Sequence, residues 1–460
     1  MRRIHRVFVA NRGEIAVRII RACRKLGVES VIGVSAADRA SLGAELADRA
    51  VCIGPAPAAG SYLNKDALVH AAMATGCDAL HPGYGFLAEN AAFERLCAEN
   101  GIRFIGPAAA AIETMGDKIN AIAAAKAVHV PTVPGSDHVA SAAEAKRVGK
   151  RIGYPFLFKA RAGGGGRGMR IVRNSNEADA AFDGARAEAG AAFGNDQLYI
   201  EKYIEDARHI EVQVLGDEHG RVAHLGERDC SVQRRHQKLI EEAPSPVVTP
   251  ELRTAMADSA VRLAASQGYV GAGTVEFIFD AATRDFYFLE MNTRVQVEHP
   301  VTEMVTGVDI VAEQIRVADG EALSIGTEPV LRGHSIECRI NAEMPERGFL
   351  PSPGRIGEWQ PPQGEGVRLD THCHPGYFVP PFYDSMIAKL IVHAEDRQAA
   401  IRKMDAALAA FRITGIATTV DFHRAVIAHP DFRGGRVTTA WLERSFMPTY
   451  VGPTSSEVPA

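Results

Sequence analysis

The chain has 460 residues, about three domains' worth of polypeptide at ~150 residues per domain. With 46% hydrophobic and 23% charged residues it has a globular composition, which excludes a disordered or fibrous chain. A formal net charge of −5 gives no global attraction to nucleic-acid phosphates or anionic membranes.

Cysteine usage and targeting signals point the same way. The seven cysteines are odd in number and form no C-x-x-C, which argues against a disulfide framework or zinc module and for a reducing compartment. Arg2, Arg3 and Arg6 are followed only by the short apolar run Val7–Ala10, too short for a signal-peptide core. No uninterrupted apolar run of spanning length occurs. The expectation is a cytoplasmic enzyme with neither membrane nor nucleic-acid partner.

In chain order, Val7–Ala10 reads as a strand and Arg12–Leu26 as a helix, with Ile15, Ile19, Cys23 and Leu26 on one face and Gly27 as its C-cap. Ser30–Ser35 and Arg103–Gly106 read as further strands, with helices at Lys65–Thr75 and Ala91–Asn100 between them. This alternation predicts a doubly wound parallel sheet. Only Gly13 follows the first strand, so the dinucleotide-binding glycine pattern is missing from its place.

After a helix at Asp117–Ala127, the prolines Pro131 and Pro134 punctuate the chain. A small α+β unit is predicted from about Pro131 to Tyr203: helix Ser141–Arg151, strand Pro155–Ala160, a glycine loop and strand Met169–Arg173. Strands at Ile210–Leu215, Val222–Leu225, Thr274–Asp280, Phe286–Glu290 and Ser335–Ala342 follow, with helices at Pro250–Gln267 and Val308–Ala318. The Pro- and Ser-rich tail 448–460 is expected to be disordered.

Four segments carry chemistry. The first is the loop Gly163–Gly168, which joins two strands and does not open a helix; that is the form of a flap whose backbone N–H groups close over phosphates, with Lys159 on the incoming strand. A flexible linker is the alternative, and no P-loop signature occurs. The second is the pair Glu276 and Glu290. If Asp280 opposes Phe286, these carboxylates face each other across a hairpin ~5 Å apart, which destabilises a sheet unless a divalent cation lies between them. Asn292 adds an amide oxygen; two solvated carboxylates are the alternative.

Third, Glu290, Asn292, Arg294, Gln296 and Glu298 alternate with apolar residues. Fully extended, the segment would place Glu290 and Glu298 ~26 Å apart, so one site can use both only if the chain curls after Asn292. An edge strand of solvated charges is the competing picture. Fourth, Glu227–Lys238 gathers Arg228, Arg234, Arg235, His236 and Lys238, either to position a small anion or phosphate or as a solvated basic loop. An RNA strip is disfavoured because no aromatic residue is interleaved.

Taken together these segments resemble biotin carboxylase, a member of the ATP-grasp superfamily, from about Val7 to Leu442. The stretches that carry the resemblance include Ala10–Ile15, His81–Phe86, Met115–Lys118, the tetraglycine loop, Glu201–Tyr203, Arg228–Ser231, Gln233–Lys238, Glu290–Pro300, Glu337–Ala342, Pro351–Gly354 and Tyr383–Met386.

The resemblance implies a mixed α/β and α+β ATP-grasp architecture. Its expected parts are an N-terminal doubly wound domain (1–113), a first ATP-grasp part (114–204) with a glycine-flap lid (131–203), a central part with the metal and bicarbonate site (205–330), a β-rich C-terminal domain (331–447) and the tail. The implied reaction is Mg·ATP-dependent carboxylation of biotin N1′ by bicarbonate through carboxyphosphate, the first half-reaction of an acetyl-CoA or other acyl-CoA carboxylase.

By motif, Lys118, Lys159, Gly165 and Gly166 would contact ATP phosphates, Glu201 and Lys202 the adenine hinge, and His209, Gln233 and His236 the nucleotide. Glu276, Glu290 and Asn292 would hold Mg²⁺, with Mn²⁺ tolerated. Lys238, Arg294, Gln296 and Val297 would hold bicarbonate, Glu298 would be the base, Arg339 would support the biotin enolate and Tyr84 would border the biotin ring. Arg161, Ala162 and Met344 depart from the family pattern outside these positions.

Biotin carrier domains hold the cofactor on a Lys between two Met residues, and Arg402-Lys403-Met404 is the nearest approach. The expected partners are therefore a separate biotin carboxyl carrier protein, carboxyltransferase subunits and a second copy in a homodimer. The competing functions are an ATP-grasp ligase with another acceptor and an inactive nucleotide-binding regulatory protein.

Overall fold

The computed structural model describes residues 4–160, 169–193, 195–326 and 329–452. The flap residues, Gly165 and Gly166 with them, lie outside these, as do Arg161, Ala162 and residues 453–460. These described residues divide into two compact units, one drawn from the spans 1–130, 208–277 and 290–460, the other from 131–207 and 278–289.

The first unit opens with the expected parallel sheet. Strands β1 (Arg6–Val9), β2 (Glu29–Ser35), β3 (Arg49–Gly54), β4 (Ala79–His81) and β5 (Arg103–Phe104) lie in the order β3-β2-β1-β4-β5. Between β1 and β2 runs the helix Gly13–Leu26, which buries Ile15, Ile19 and Cys23; Gly27, at φ 68°, provides the left-handed C-cap that a side chain would strain. β3 and β4 lacked a readable pattern because one has an exposed edge and the other is only three residues long.

The second unit holds β6 (Gly135–Val139), β7 (Phe156–Ala160), β8 (Arg170–Val172) and β9 (Leu198–Lys202) in the antiparallel order β6-β9-β7-β8. Its core is aromatic, with Phe156, Phe158 and Phe182 packed edge to face. The unit is larger than the expected 131–203: it continues to residue 207 and includes residues 278–289, where Phe288 N donates to Pro131 O at 2.7 Å.

The third sheet is built from β10 (Ala207–Gly216), β11 (Val222–Arg234), β12 (Gln237–Ala243), β13 (Gly271–Asp280), β14 (Phe286–Asn292), β15 (His334–Asn341) and the later strands Val367–Thr371 and Met386–Ala394. Their order is β14-β13-β10-β11-β12-β15, then Met386–Ala394, then Val367–Thr371. The basic stretch Glu227–Lys238 is thus two long strands, not a loop. Buried charge is the reason it misreads: Arg228 is fully buried and neutralised, so a core strand carries a polar sequence.

Register makes this sheet two-faced. Ile240 pairs with Cys338 and Cys338 with Leu390, and these residues face the C-terminal apolar core with Ile336, Ile340 and Val392. On the opposite face Glu241 pairs with Glu337, and Arg339 with Lys389. At about 1.5–3 kcal/mol for each fully buried aliphatic side chain, the apolar face offsets the cost of the ionic one. The expected tail begins too early: Met447–Thr449 forms a 3₁₀ turn, and Tyr450 stacks on Phe446 at 5.5 Å because its ring completes that core. Among the described residues no helix is long and apolar enough to cross a membrane.

Candidate active site

The ionic face of the third sheet collects most of the residues singled out from sequence. Lys238, on β12 opposite Gln233 of β11, donates to Glu211 at 2.5 Å, Glu276 at 2.8 Å and Glu298 at 2.6 Å. Burial opposes the charged ammonium, but the three carboxylates together outweigh it, so the Lys238 pKa lies well above its ordinary value.

Arg228 extends this network beneath the surface, donating to Glu211, Gln213, Thr302 and Gln296. Gln296 passes it on to Glu276 through a 2.7 Å bond. His209 Nε2 lies 2.8 Å from the other oxygen of Glu276, and that carboxylate raises the imidazole pKa against the effect of burial.

Glu298 shares one line of charge with Glu276 because the chain does not stay extended. β14 ends at Asn292, and residues 293–298 turn into the helix His299–Thr306, which carries Pro300 in its first turn. The turn is held from an element that sequence reading missed: Glu89 accepts from Thr293 N at 3.0 Å and from Arg294 Nε at 2.8 Å. Arg294 Nη2 donates to Asn292 Oδ1 at 2.8 Å. The backbone oxygen of Val297 accepts from Lys389 at 2.8 Å.

Arg339 closes the cluster. Its guanidinium donates to Glu241 at 2.6 Å and to Glu298 at 3.0 Å, not to Glu337 or Glu343. Burial opposes ionisation of Glu298, but Lys238, Arg339 and Arg228 outweigh it and hold this carboxyl well below the ordinary range. Glu298 is therefore an anion at neutral pH, although only 2% of its side chain is exposed. Tyr84 donates its hydroxyl to Glu14.

The carboxylate pair is asymmetric. Glu276 is buried and satisfied, while Glu290 is exposed at the rim. Partial burial and the charge of Glu276 push the Glu290 pKa up, and its carboxylate has no hydrogen-bond or ion-pair partner among the described residues. Hard oxygen donors, like-charge repulsion and an unpartnered anion suit a divalent cation. Asn292 fits less well as it stands, since its oxygen accepts from Arg294 and its nitrogen donates to Glu276 at 3.0 Å.

The remaining predicted residues are placed as follows. His236 and Arg235 form the two-residue turn between β11 and β12, both with positive φ (65° and 47°), a conformation that costs of order 1–3 kcal/mol for a non-glycine residue and clusters at functional sites. Lys118 is exposed in the first turn of helix Lys118–Ala127, next to its cap Asp117. In the second unit Lys159 pairs with Glu201 across β7 and β9, and Lys202 donates to Tyr154 O at 2.9 Å. Beyond Glu89, sequence reading missed Glu211, Glu241 and Lys389.

A parallel-sheet domain, a small antiparallel unit carrying a lysine–glutamate pair and a long antiparallel sheet bearing paired acids and bridging cations define an ATP-grasp ligase. Family models agree segment by segment: "Biotin carboxylase, N-terminal domain" matches residues 3–112, "Carbamoyl-phosphate synthase L chain, ATP binding domain" 117–326 and "Biotin carboxylase C-terminal domain" 337–444. The chain is 53% identical over 440 residues to a biotin carboxylase from Nostoc sp., covering 95% of this chain and 98% of the relative. With biotin carboxylase 1 from Bacillus subtilis it shares 53% over 442 residues, with coverage of 96% and 98%.

Solved structures give the same answer. The biotin carboxylase–βγ-ATP complex from Campylobacter jejuni superposes with a TM-score of 0.88 at 50% identity, covering 96% of this chain and 99% of that one. The bicarbonate-bound biotin carboxylase domain of a thermophilic 2-oxoglutarate carboxylase gives 0.92 at 49%, covering 96% and 98%. The chain belongs to the biotin carboxylase family.

Proposed function

We propose that this chain carboxylates N1′ of biotin with bicarbonate and Mg·ATP through carboxyphosphate, as the first half-reaction of an acyl-CoA or related carboxylase. The observation that carries the reading is Lys238, whose bonds of 2.8 Å to Glu276 and 2.6 Å to Glu298 join the metal-fitting carboxylate to the candidate base.

In this reading Glu276 and Glu290, with Asn292 once its amide turns, hold the divalent cation, which supplies charge neutralisation for the phosphates. Lys118, Lys159 and the flap glycines Gly165 and Gly166 take the phosphates. Glu201 and Lys202 take the adenine side, and His209, Gln233 and His236 face the nucleotide. Lys238, Arg294, Gln296 and the Val297 backbone orient bicarbonate. Glu298, unprotonated in the resting site, accepts the bicarbonate proton. Arg339 then stabilises the ureido oxyanion of biotin, which Tyr84 borders.

The domain division 1–113, 114–204, 205–330 and 331–447 belongs to the same reading, supported by the spans of the three family models. So do a cytoplasmic setting, a homodimer, a separate biotin carboxyl carrier protein and carboxyltransferase subunits. The described cysteines are all free, which supports a reducing compartment. One relative, from Methanothermobacter thermautotrophicus, is a component of pyruvate carboxylase, and one structural neighbour is a domain dimer of 2-oxoglutarate carboxylase. The final acceptor is therefore read from the chains that co-purify with this one. The direct test is ATP turnover with and without bicarbonate: turnover that needs bicarbonate and yields carboxybiotin from free biotin supports the reading, and bicarbonate-independent turnover refutes it.

A further inference from the structure

Behind Arg339 the ionic face carries two acids that no step above uses. Glu241 and Glu337 are direct cross-strand partners on β12 and β15, so their side chains leave the same face of the sheet side by side. Both are fully buried. Glu241 accepts from Arg339 with one oxygen at 2.6 Å, and its other oxygen is buried with no hydrogen-bond partner among the described residues. Among the described residues neither carboxylate oxygen of Glu337 has a hydrogen-bond partner.

Two adjacent buried carboxylates cannot both stay ionised without compensation: like charges a few ångströms apart in a low-dielectric interior force one to keep its proton. The cations that face them are already engaged. Lys389, across β15 from Arg339, lies 3.1 Å from Glu14 and donates to Val297 O, with Asp370 at 3.9 Å. Arg339 itself is divided between Glu241 and Glu298. The Tyr84 hydroxyl, which also faces Glu337, is bonded to Glu14. Glu298 contributes a further negative charge. Burial first, and then these neighbouring acids, push Glu241 up to about 7 against the pull of Arg339 and of Lys238, itself held by three carboxylates. They push Glu337 well above the carboxylate range against the pull of Lys389 and Arg339.

We propose that Glu241 and Glu337 share a single proton at neutral pH, and that this singly charged pair positions Arg339 for biotin. The proton resides on Glu337, and Glu241 is the anion that orients the guanidinium. The consequence is electrostatic. Arg339 already bridges two carboxylates, Glu241 behind it and Glu298 beside it, and a third charge on Glu337 would further weaken the positive potential it presents to the site. Glu241 and Glu337 are thus positioning residues, because neither need touch substrate.

The kinetic part rests on the biotin-carboxylation reading; the protonation part does not, and the two are separable. Infrared difference spectra of wild type minus E337Q at neutral pH should show the carbonyl stretch of a protonated carboxylic acid, shifted in D2O. Absence of that band overturns the proposal whatever the enzyme carboxylates. As a second measure independent of activity, the wild-type unfolding equilibrium should shift against folding relative to E337Q by up to tenfold per pH unit above pH ~5. A raised folded-state pKa gives that sign, since the stability it carries is lost as pH rises. Parallel pH profiles of the two proteins would overturn the shared proton. In E241Q, Arg339 loses its orienting anion, so biotin carboxylation should fall 10- to 100-fold further than bicarbonate-dependent ATP cleavage does. Equal falls in the two activities would overturn the positioning role, while a complete absence of bicarbonate-dependent cleavage in wild type would instead refute the parent reading.

Discussion

In the proposed division of roles, replacing Arg339 by alanine should separate the two halves of the reaction, because Glu298 has other cationic partners and the biotin oxyanion is assigned none. Glu298 loses one bond, at 3.0 Å, but keeps Lys238 at 2.6 Å and the charge of Arg228 nearby. It should therefore stay ionised and keep accepting the bicarbonate proton. With less depression of its pKa, the acid limb of ATP cleavage should move to higher pH than in wild type. Biotin, in contrast, loses the only guanidinium assigned to its oxyanion. Removing one preorganised donor of this kind costs about 3–4 kcal/mol, or ~10²–10³ in rate. Glu241 loses its 2.6 Å partner, and breaking a buried pair costs about 3–5 kcal/mol of stability. Retained ATP cleavage reports that the fold survives that loss. The assay compares bicarbonate-dependent ADP release with carboxybiotin formation in the same preparation. Equal losses in both would refute the division of roles and place Arg339 in the phosphate chemistry.

Two further variants test the metal end and the turn. Glu290→Gln should cut turnover at least 100-fold yet leave metal-free thermal stability unchanged or slightly higher, since it removes repulsion from Glu276; undiminished turnover would sink the paired-carboxylate argument. Glu89→Gln keeps an acceptor for Thr293 but removes the anion opposite Arg294, so the KM for bicarbonate should rise about tenfold, equivalent to ~1.4 kcal/mol, while that for ATP holds. A matching rise in both constants would make Glu89 a general structural support.

What could be read from sequence divides along a physical line. The helix Gly13–Leu26 and strand β15 were legible because local periodicity and local burial agree there: Ile336, Cys338 and Ile340 fill one core while Glu337 and Arg339 face the other way. Glu276 and Glu290 could be paired from sequence because a short hairpin makes proximity nearly a local property, and the charge of Glu276 does raise the Glu290 pKa. The segment Glu227–Lys238 was not, because its burial is satisfied by distant partners, Arg228 alone reaching Gln213, Gln296 and Thr302. Polar residues in a strand look solvated until their counter-charges are known. Glu89 and Glu241 were missed for the same reason: each meets its arginine across about a hundred residues or more, 205 for Glu89 and 98 for Glu241, and no spacing rule reports such a contact. The curl after Asn292 was posed as a requirement for one site, and the bonds of Glu89 to Thr293 and Arg294 supply its physical cause.

Lys238 makes the last prediction, and it concerns binding, not rate. An ammonium has three N–H donors, and here Glu211, Glu276 and Glu298 accept all three. Lys238 can therefore offer an N–H to an incoming anion only by leaving one carboxylate. Glu211 and Glu298 are held at 2.5 and 2.6 Å, whereas Glu276, at 2.8 Å, also accepts from Gln296 and Asn292 and faces His209. Glu276 is thus the partner that loses least when Lys238 turns away, and it loses less still when its charge is balanced by a divalent cation. The two ligands should bind with positive coupling, and by linkage each should tighten the other by the same factor. Five- to tenfold, about 1–1.4 kcal/mol, is the scale expected for one exchanged charge-assisted bond that is partly replaced. Calorimetric titration of bicarbonate with and without Mg²⁺, in the absence of nucleotide, measures the coupling without turnover. In Glu276→Gln the coupling should vanish, because the residue no longer holds a charge for the cation to balance. Equal bicarbonate affinity with and without Mg²⁺ in the wild-type protein would show that Lys238 does not trade partners, and that the anion enters the site without disturbing this network.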